Sequence, residues 1–307
     1  MSTADTRPRQ IAVTGATGWI GRRLCEAAAG RGLAVRPIPR QALQSPRACA
    51  VALEGCDVVV HLAAAVHRPR GASTPDEYVE ANERLTARLA AAARAASVGR
   101  FVFVSSAKVL GERTDRPARE SDAAAPSGPY ARSKLAAERL LACEGPDLDV
   151  VVVRPVLVYG PGVRANFLSL LRLADTHWPL PLGGAQAPRS MIYIDNLVDA
   201  LLFLCDAKLA AGHTFFVNDG TDLTVAELVR ALRQRLGRSP RLFTLPRGFL
   251  ERCVRMSAWL GVDLRPTFER LFEPLQVDAG ALRAIGWRAP VDLHAALDET
   301  VRWYRGR

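Results

Sequence analysis

An apolar run, Ile11-Ala12-Val13-Thr14, breaks into Gly15-Ala16-Thr17-Gly18-Trp19-Ile20-Gly21 and resumes as an amphipathic stretch from Arg22 to Ala29. The pattern is a strand, a turn with glycines at G-x-x-G-x-x-G spacing, and a helix. Without side chains the turn's backbone can approach a pyrophosphate. The first turn of the helix adds N–H groups without intrahelical partners and a partial positive charge. Glycines also make ordinary turns, so the triplet gains its meaning from the strand before it and the helix after it. Gly15, Thr17, Gly18, Trp19, Ile20 and Gly21 are therefore the candidate contacts for a dinucleotide.

The rest of the first half repeats the theme. Apolar runs at 10–14, 33–38, 57–62, 100–105 and 150–154 read as strands, and amphipathic stretches at 20–30, 76–96 and 130–143 read as helices. Such alternation predicts βαβ units, hence an α/β, Rossmann-type doubly wound parallel sheet. After Arg154 the texture changes. Pro155, Gly160, Pro161, Gly162, Pro179, Pro181, Gly183 and Gly184 punctuate a loop-rich region. Helices follow at 196–206 and 225–236, the second opened by Thr224 with Glu227 three residues on, the signature of a capping box. The expected organisation is a dinucleotide-binding domain over 1–160 and a smaller C-terminal substrate-binding lobe over 161–307. Residues from about 185 to 220 return to the first domain.

Bulk properties narrow the function classes. Half of the 307 residues are apolar (49%) and 23% are charged, enough for a sizeable core. No apolar run reaches the roughly 18 residues of a spanning helix, and residues 1–10 lack the apolar stretch of a signal peptide, which predicts a cytoplasmic protein without membrane contact. The six cysteines form no C-x-x-C pair and keep no zinc-like spacing with the five histidines, so neither a metal nor a disulfide framework is expected. The net charge of +10 is spread along the chain with only 7% aromatic residues. This reads as a solvated surface suited to a phosphorylated substrate, not as a nucleic-acid face.

Two further signals carry chemistry. In Tyr130-Ala131-Arg132-Ser133-Lys134 a phenol and an ammonium lie four apart on one helix face and can reach the same ligand. A neighbouring ammonium favours the phenolate, so Lys134 is expected to lower the pKa of Tyr130 toward the working range. In Phe101-Val102-Phe103-Val104-Ser105-Ser106 an apolar strand ends in two hydroxyls, at the carboxyl edge where such sheets place their ligands.

Together these motifs resemble the extended short-chain dehydrogenase/reductase family, in its sugar-nucleotide epimerase/dehydratase branch, over almost the whole chain. Thr14 to Gly21 is similar to that family's T-G-x-x-G-x-x-G, and His61-Leu62-Ala63-Ala64 to its H-x-A-A after the fourth strand. Asn82 lies where the family keeps a structural or active-site asparagine. Ser106-Ala107-Lys108-Val109-Leu110-Gly111 resembles S-x-x-V-Y-G with leucine for tyrosine, and Arg154 to Gly162 resembles R-P-x-x-V-Y-G-P-G. The resemblance implies Ser106, Tyr130 and Lys134 as a catalytic triad. Leu62, Ala63, Ala64, Pro155, Tyr130 and Lys134 would line the nicotinamide cofactor. Asn82, Ser106, Lys108, Tyr130, Asn166 and Arg189 would contact a nucleotide-diphosphate sugar, an arginine suiting the diphosphate by bidentate pairing. A homodimer built on a helix bundle from 76–96 and 130–143 is implied as well.

Within the branch, dehydratases follow the catalytic hydroxyl with an acidic pair. Ala107 and Lys108 stand there instead, which disfavours dehydration. At the end of the second strand Val35-Arg36-Pro37-Ile38-Pro39-Arg40 has no acid for a ribose hydroxyl, and Arg40 suits a 2′-phosphate, so NADP is expected ahead of NAD. The wording of Pro179–Gly183 and Tyr193–Ala200 is nearest to bacterial surface-polysaccharide enzymes. The leading reading is a reductase of a UDP-4-keto-6-deoxy-N-acetylhexosamine, with a UDP-hexose 4-epimerase second. One departure keeps a non-catalytic nucleotide-binding relative in view. Only 16 residues, Gln41 to Cys56, separate Arg40 from Asp57, barely room for a strand and a helix, so an abbreviated third βα unit and adenine pocket are expected.

Overall fold

The computed structural model describes residues 10–65, 75–145, 147–259, 268 and 271–307. Strands β1 (Gln10–Thr14), β2 (Ala34–Ile38), β3 (Val58–His61), β4 (Arg100–Val104), β5 (Asp149–Pro155) and β9 (Thr214–Val217) form one parallel sheet in the order β2-β1-β3-β4-β5-β9. Short strands β6 (Leu157–Tyr159) and β8 (Met191–Tyr193) pair with each other, as do β7 (Pro188–Arg189) and β10 (Leu223–Thr224).

The strands are apolar throughout because both faces are covered. The period of two splits them into two cores. Ile11, Val13, Val60, Val102 and Val153 pack with Leu24 and Ala28 of α1 (Trp19–Gly30) and with Leu197 and Leu201 of α7 (Ile194–Asp206). On the opposite face Ala12, Val59, Phe101 and Phe103 pack with Leu53 of α2 (Pro46–Leu53) and Leu89 and Ala93 of α4 (Leu85–Ala95). Ala137 and Leu141 of α5 (Gly128–Ala142) complete that face. The stretch 76–96, read as one helix, is in fact α3 (Pro75–Tyr78), one π-helical segment Val79–Arg84, and α4. The π turn carries Asn82.

Between β2 and β3 there is a 3₁₀ turn, Arg40–Leu43, and α2, capped by Ser45, and no strand among the described residues. The segment has room for a helix only. β2 is therefore the sheet edge, and His61, which the resemblance placed after a fourth strand, closes the third. Arg36 blunts that edge, donating to the carbonyls of Ala52 (3.2 Å) and Glu54 (2.6 Å).

The chain after Tyr193 returns to the first half. β9 pairs with β5, and α7 packs on α1 through Arg23–Asp195 (2.7 Å) and Arg31–Asp199. Arg100 joins β4 to the far end of α7, donating to the carbonyls of Leu204 and Ala207 at 2.8 and 2.9 Å. The further helices among the described residues include α6 (Ala165–Ala174), α8 (Val225–Arg235), α9 (Arg247–Trp259), Gly280–Ala284 and Leu293–Arg305. The capping box of Thr224 and Glu227 is formed at the start of α8. No helix among the described residues is long and apolar enough to cross a membrane.

β1 and α1 meet at the tightest point of the fold. A Cβ on Gly21 would lie 2.2 Å from the carbonyl oxygen of Gly15, so the helix approaches the turn as glycine alone permits. Gly21→Ala is expected to destabilise the protein by about 1–3 kcal/mol through overpacking. Gly30→Ala, at the far end of the same helix with nothing within 4 Å, should be neutral or slightly stabilising. Equal melting temperatures for the two variants would contradict this packing.

Candidate active site

The glycine turn leaves β1 at Gly15, whose φ of +71° and approach to the backbone of Leu62 and Ala63 both exclude a side chain. The Gly18 amide donates to the Gly15 carbonyl (2.9 Å) and closes the turn. α1 then begins at Trp19 with no side-chain cap and no acidic residue in its first turn. Its first N–H groups and positive dipole end are thus available to an anion. Trp19 donates through Nε1 to the Pro161 carbonyl (2.7 Å), clamping the loop after β6 over the turn.

The turn is held from beneath by a buried chain of hydrogen bonds. The Ala63 amide donates to Thr14 Oγ1 (3.2 Å), which contacts His61 Nδ1 (2.6 Å). His61 Nε2 contacts Thr86 Oγ1 (3.0 Å), which donates to the Asn82 carbonyl (2.5 Å). Because the Thr86 hydroxyl proton is committed to Asn82, His61 must carry its proton on Nε2 and accept from Thr14 at Nδ1. Burial, with the nearby positive charge of Lys134 adding to it, depresses the His61 pKa to about 3. The side chain of Asn82 extends the chain. Its Oδ1 accepts from the Ala65 amide (2.7 Å), and Nδ2 donates to the Ala65 carbonyl (3.2 Å) and to Ser133 Oγ (2.9 Å). Ser133 in turn donates to the Tyr130 carbonyl (2.9 Å).

This neutral histidine has a measurable signature. Between pH 6.5 and about 3 the unfolded chain protonates residue 61 while the folded protein does not, so stability falls as pH drops through that window. His61→Gln, though less stable at neutral pH, lacks this component. Its loss of stability on acidification should be shallower by about 1.4 kcal/mol per pH unit. Parallel profiles in denaturant titrations would contradict the assignment.

At the carboxyl edge of β4, Ser106 lies beside the Tyr130 phenol and acts to lower its pKa, and its Oγ accepts from the Lys108 amide (3.2 Å). Tyr130 packs edge-on against the buried Tyr78, ring centres 6.4 Å apart. Lys134, one turn further along α5, is buried; it donates to the Val104 carbonyl (2.8 Å) and lies over the Phe103 ring. Burial pulls the Lys134 pKa down to about 7, partly offset by Glu138. Burial also pushes Tyr130 up to about 12, partly offset by Ser106. The expectation that Lys134 lowers the phenol pKa is therefore corrected: desolvation acts on both groups and dominates, and the ammonium is turned to the strand carbonyl.

The remaining expected residues are distributed unevenly. Leu62, Ala63 and Ala64 follow β3 beside the glycine turn, and Pro155 is buried at the end of β5. Arg40 is exposed directly after Pro39, with no ion pair among the described residues. Asn82, read as a substrate contact, is fully buried and holds Ala65 and Ser133; it supports the site from behind. Lys108 is paired with Glu112 at 2.8 Å. Asn166 is exposed in the first turn of α6, and Arg189 lies in the β7–β10 ribbon, donating to the Glu273 carbonyl (2.8 Å).

Sequence reading missed the Trp19 clamp, the roles of Thr14 and Thr86, and a buried group behind the hydroxyls. There Glu138 accepts from Ser105 Oγ and pairs with Arg154, Nη2 to Oε2 at 2.5 Å. The spacing of Tyr130, Lys134 and Glu138 at i, i+4 and i+8 was the available signal for the last of these.

A doubly wound parallel sheet with an uncapped helix at its glycine turn, and a tyrosine, lysine and serine at the same edge, defines a dinucleotide-binding enzyme class. Residues 11–217 match the model of the NAD dependent epimerase/dehydratase family, and the chain belongs to that family. It is 34% identical to a UDP-glucose 4-epimerase of Vibrio cholerae, with 98% of each chain covered. It is also similar to the structure of MoeE5 in complex with UDP-glucose and NAD (25% identity, TM-score 0.73, 97% of this chain and 99% of that one). A UDP-glucuronic acid 4-epimerase from Bacillus cereus in complex with NAD has the same fold (20% identity, TM-score 0.75, 97% and 99% covered).

Proposed function

We propose that this enzyme is an NADP(H)-preferring reductase of a nucleotide-diphosphate sugar. In this reading it reduces the 4-keto group of a UDP-4-keto-6-deoxy-N-acetylhexosamine made for surface polysaccharide. The observation that carries the reading is the Tyr130 phenol beside Ser106, one helical turn from Lys134, at the sheet edge that holds the glycine turn. The cradle fits a dinucleotide: Gly15 and Gly21 exclude side chains where a pyrophosphate would lie, and the first turn of α1 has uncommitted donors. Gly15, Thr17, Gly18, Trp19, Ile20 and Gly21 would hold the phosphates, with Leu62, Ala63, Ala64 and Pro155 along the rest of the cofactor. Exposed Arg40 would face a 2′-phosphate.

A bound nicotinamide supplies the hydride. Ser106 orients the sugar oxygen, and Tyr130 gives its phenolic proton to that oxygen as the carbonyl becomes a hydroxyl. Lys134, whose ammonium is turned to the Val104 carbonyl, would stabilise the phenolate left behind by turning toward it. A phenol with its pKa pushed up to about 12 is fully protonated at neutral pH. Reduction starts from that form, whereas oxidation of a sugar hydroxyl needs the phenolate. Ala107 and Lys108, the latter neutralised by Glu112, offer no carboxyl pair for eliminating water. Asn166 and Arg189 remain candidates for the diphosphate.

A second reading, a UDP-hexose 4-epimerase, is favoured by the full-length similarity to the Vibrio cholerae protein. The two separate in one assay. With NADPH and the 4-keto sugar nucleotide, loss of 340 nm absorbance supports the reductase. Interconversion of UDP-glucose and UDP-galactose without cofactor consumption supports the epimerase. In either case Tyr130→Phe should lower kcat by about 10²–10⁴-fold while cofactor binding stays nearly intact. Equal activity in the variant would refute the site.

A further inference from the structure

The carboxylate of Glu138 ties together three elements that carry the site. It accepts from Ser105, the residue between β4 and Ser106, and from Arg154, the residue before Pro155 on β5. The Arg154 contacts are Nε to Oε1 at 3.1 Å and Nη2 to Oε2 at 2.5 Å. Glu138 itself stands on α5, one turn after Lys134 and two after Tyr130. Its side chain and that of Arg154 are only 8% and 9% exposed. A pair removed from water in this way costs desolvation energy that its own attraction barely repays, and an apolar pair of similar volume would serve the core as well. Stability alone does not explain it.

Lys134 supplies the explanation. The groups that act on it among the described residues are Glu138 from α5, His61 from β3, and the Val104 carbonyl and Phe103 ring from β4. Arg154 on β5 reaches the cluster through Glu138. His61 is neutral and Tyr130 protonated at neutral pH. That leaves Glu138 as the one anion in this group.

We propose that Glu138 is a positioning residue of this site: through Ser105 and Arg154 it sets the ends of β4 and β5 against α5, and it is the counter-anion that keeps a proton on Lys134. The proposal rests on the reading of Ser106, Tyr130 and Lys134 as the working group. Its consequence is that the charged state of Lys134 is governed from behind the site, by a residue that touches neither substrate nor cofactor.

The chain contains only three lysines, Lys108, Lys134 and Lys208. Protein grown on lysine labelled with ¹³C at Cε therefore gives three signals by NMR, and Lys134→Arg assigns the one of interest. In the wild type that signal should titrate with a midpoint near 7. Glu138→Gln should move the midpoint down by about one pH unit or more, and Glu138→Asp, which keeps the charge, should restore it. An unmoved midpoint in Glu138→Gln overturns the proposal. If leaving Arg154 unpaired prevents folding, the double variant Glu138→Gln/Arg154→Met removes both buried charges. A midpoint below that of the wild type supports the proposal there, and an unchanged one overturns it. Failure of the underlying reading looks different: Tyr130→Phe would then retain turnover, whatever the lysine titration shows.

Discussion

The site depends on the buried hydrogen-bond chain that runs from the Ala63 amide through Thr14, His61 and Thr86 to Asn82, and on to Ser133 and Tyr130. Every link has one permitted direction, because the neutral histidine has one proton and one lone pair and both are used. The chain crosses from the end of β1, where the glycine turn begins, to α5, where Tyr130 and Lys134 sit. The glycine turn and the helix that carries the phenol are thus joined in one hydrogen-bonded unit, set by donors and acceptors that cannot be re-paired without leaving a buried polar group unsatisfied.

Burial does the remaining electrostatic work. It holds His61 neutral, pulls the Lys134 pKa down to about 7 and keeps Tyr130 protonated. Elsewhere the basic excess is used mechanically. Arg36 closes the sheet edge, Arg100 pins α7 to β4, and the fully buried Arg233 donates to the carbonyls of Ala174 and Thr176. These guanidiniums act as multi-donor clamps on carbonyl groups, so part of the net charge of +10 belongs to the fold and not to a binding face.

The glycine turn, the apolar strands and the placement of Tyr130 and Lys134 one turn apart on α5 were legible in the sequence because each rests on local spacing: a period of two, a helical turn, or a missing side chain. The shortened third unit was legible as a count of residues, and the structure spends those residues on α2. The helix at 76–96 was read as regular because a π turn costs one residue of register that the apolar pattern does not display. The supporting bonds of Asn82 were hidden for a related reason. Its partners Ala65 and Ser133 are 17 and 51 residues away, and nothing local shows that its amide is consumed. The Glu138–Arg154–Ser105 group likewise depends on the parallel register of β4 and β5.

The most direct test of a dinucleotide seated on the glycine turn beside Tyr130 is a binding titration. NADPH and NADH are added in turn, and energy transfer from tryptophan is followed, Trp19 lying at the first turn of α1. Saturable transfer with NADPH binding tighter than NADH is the predicted result. Absence of saturable binding for both would contradict it, and would mean that the missing strand between β2 and β3 has left the cradle without enough of the adenine side to hold a cofactor.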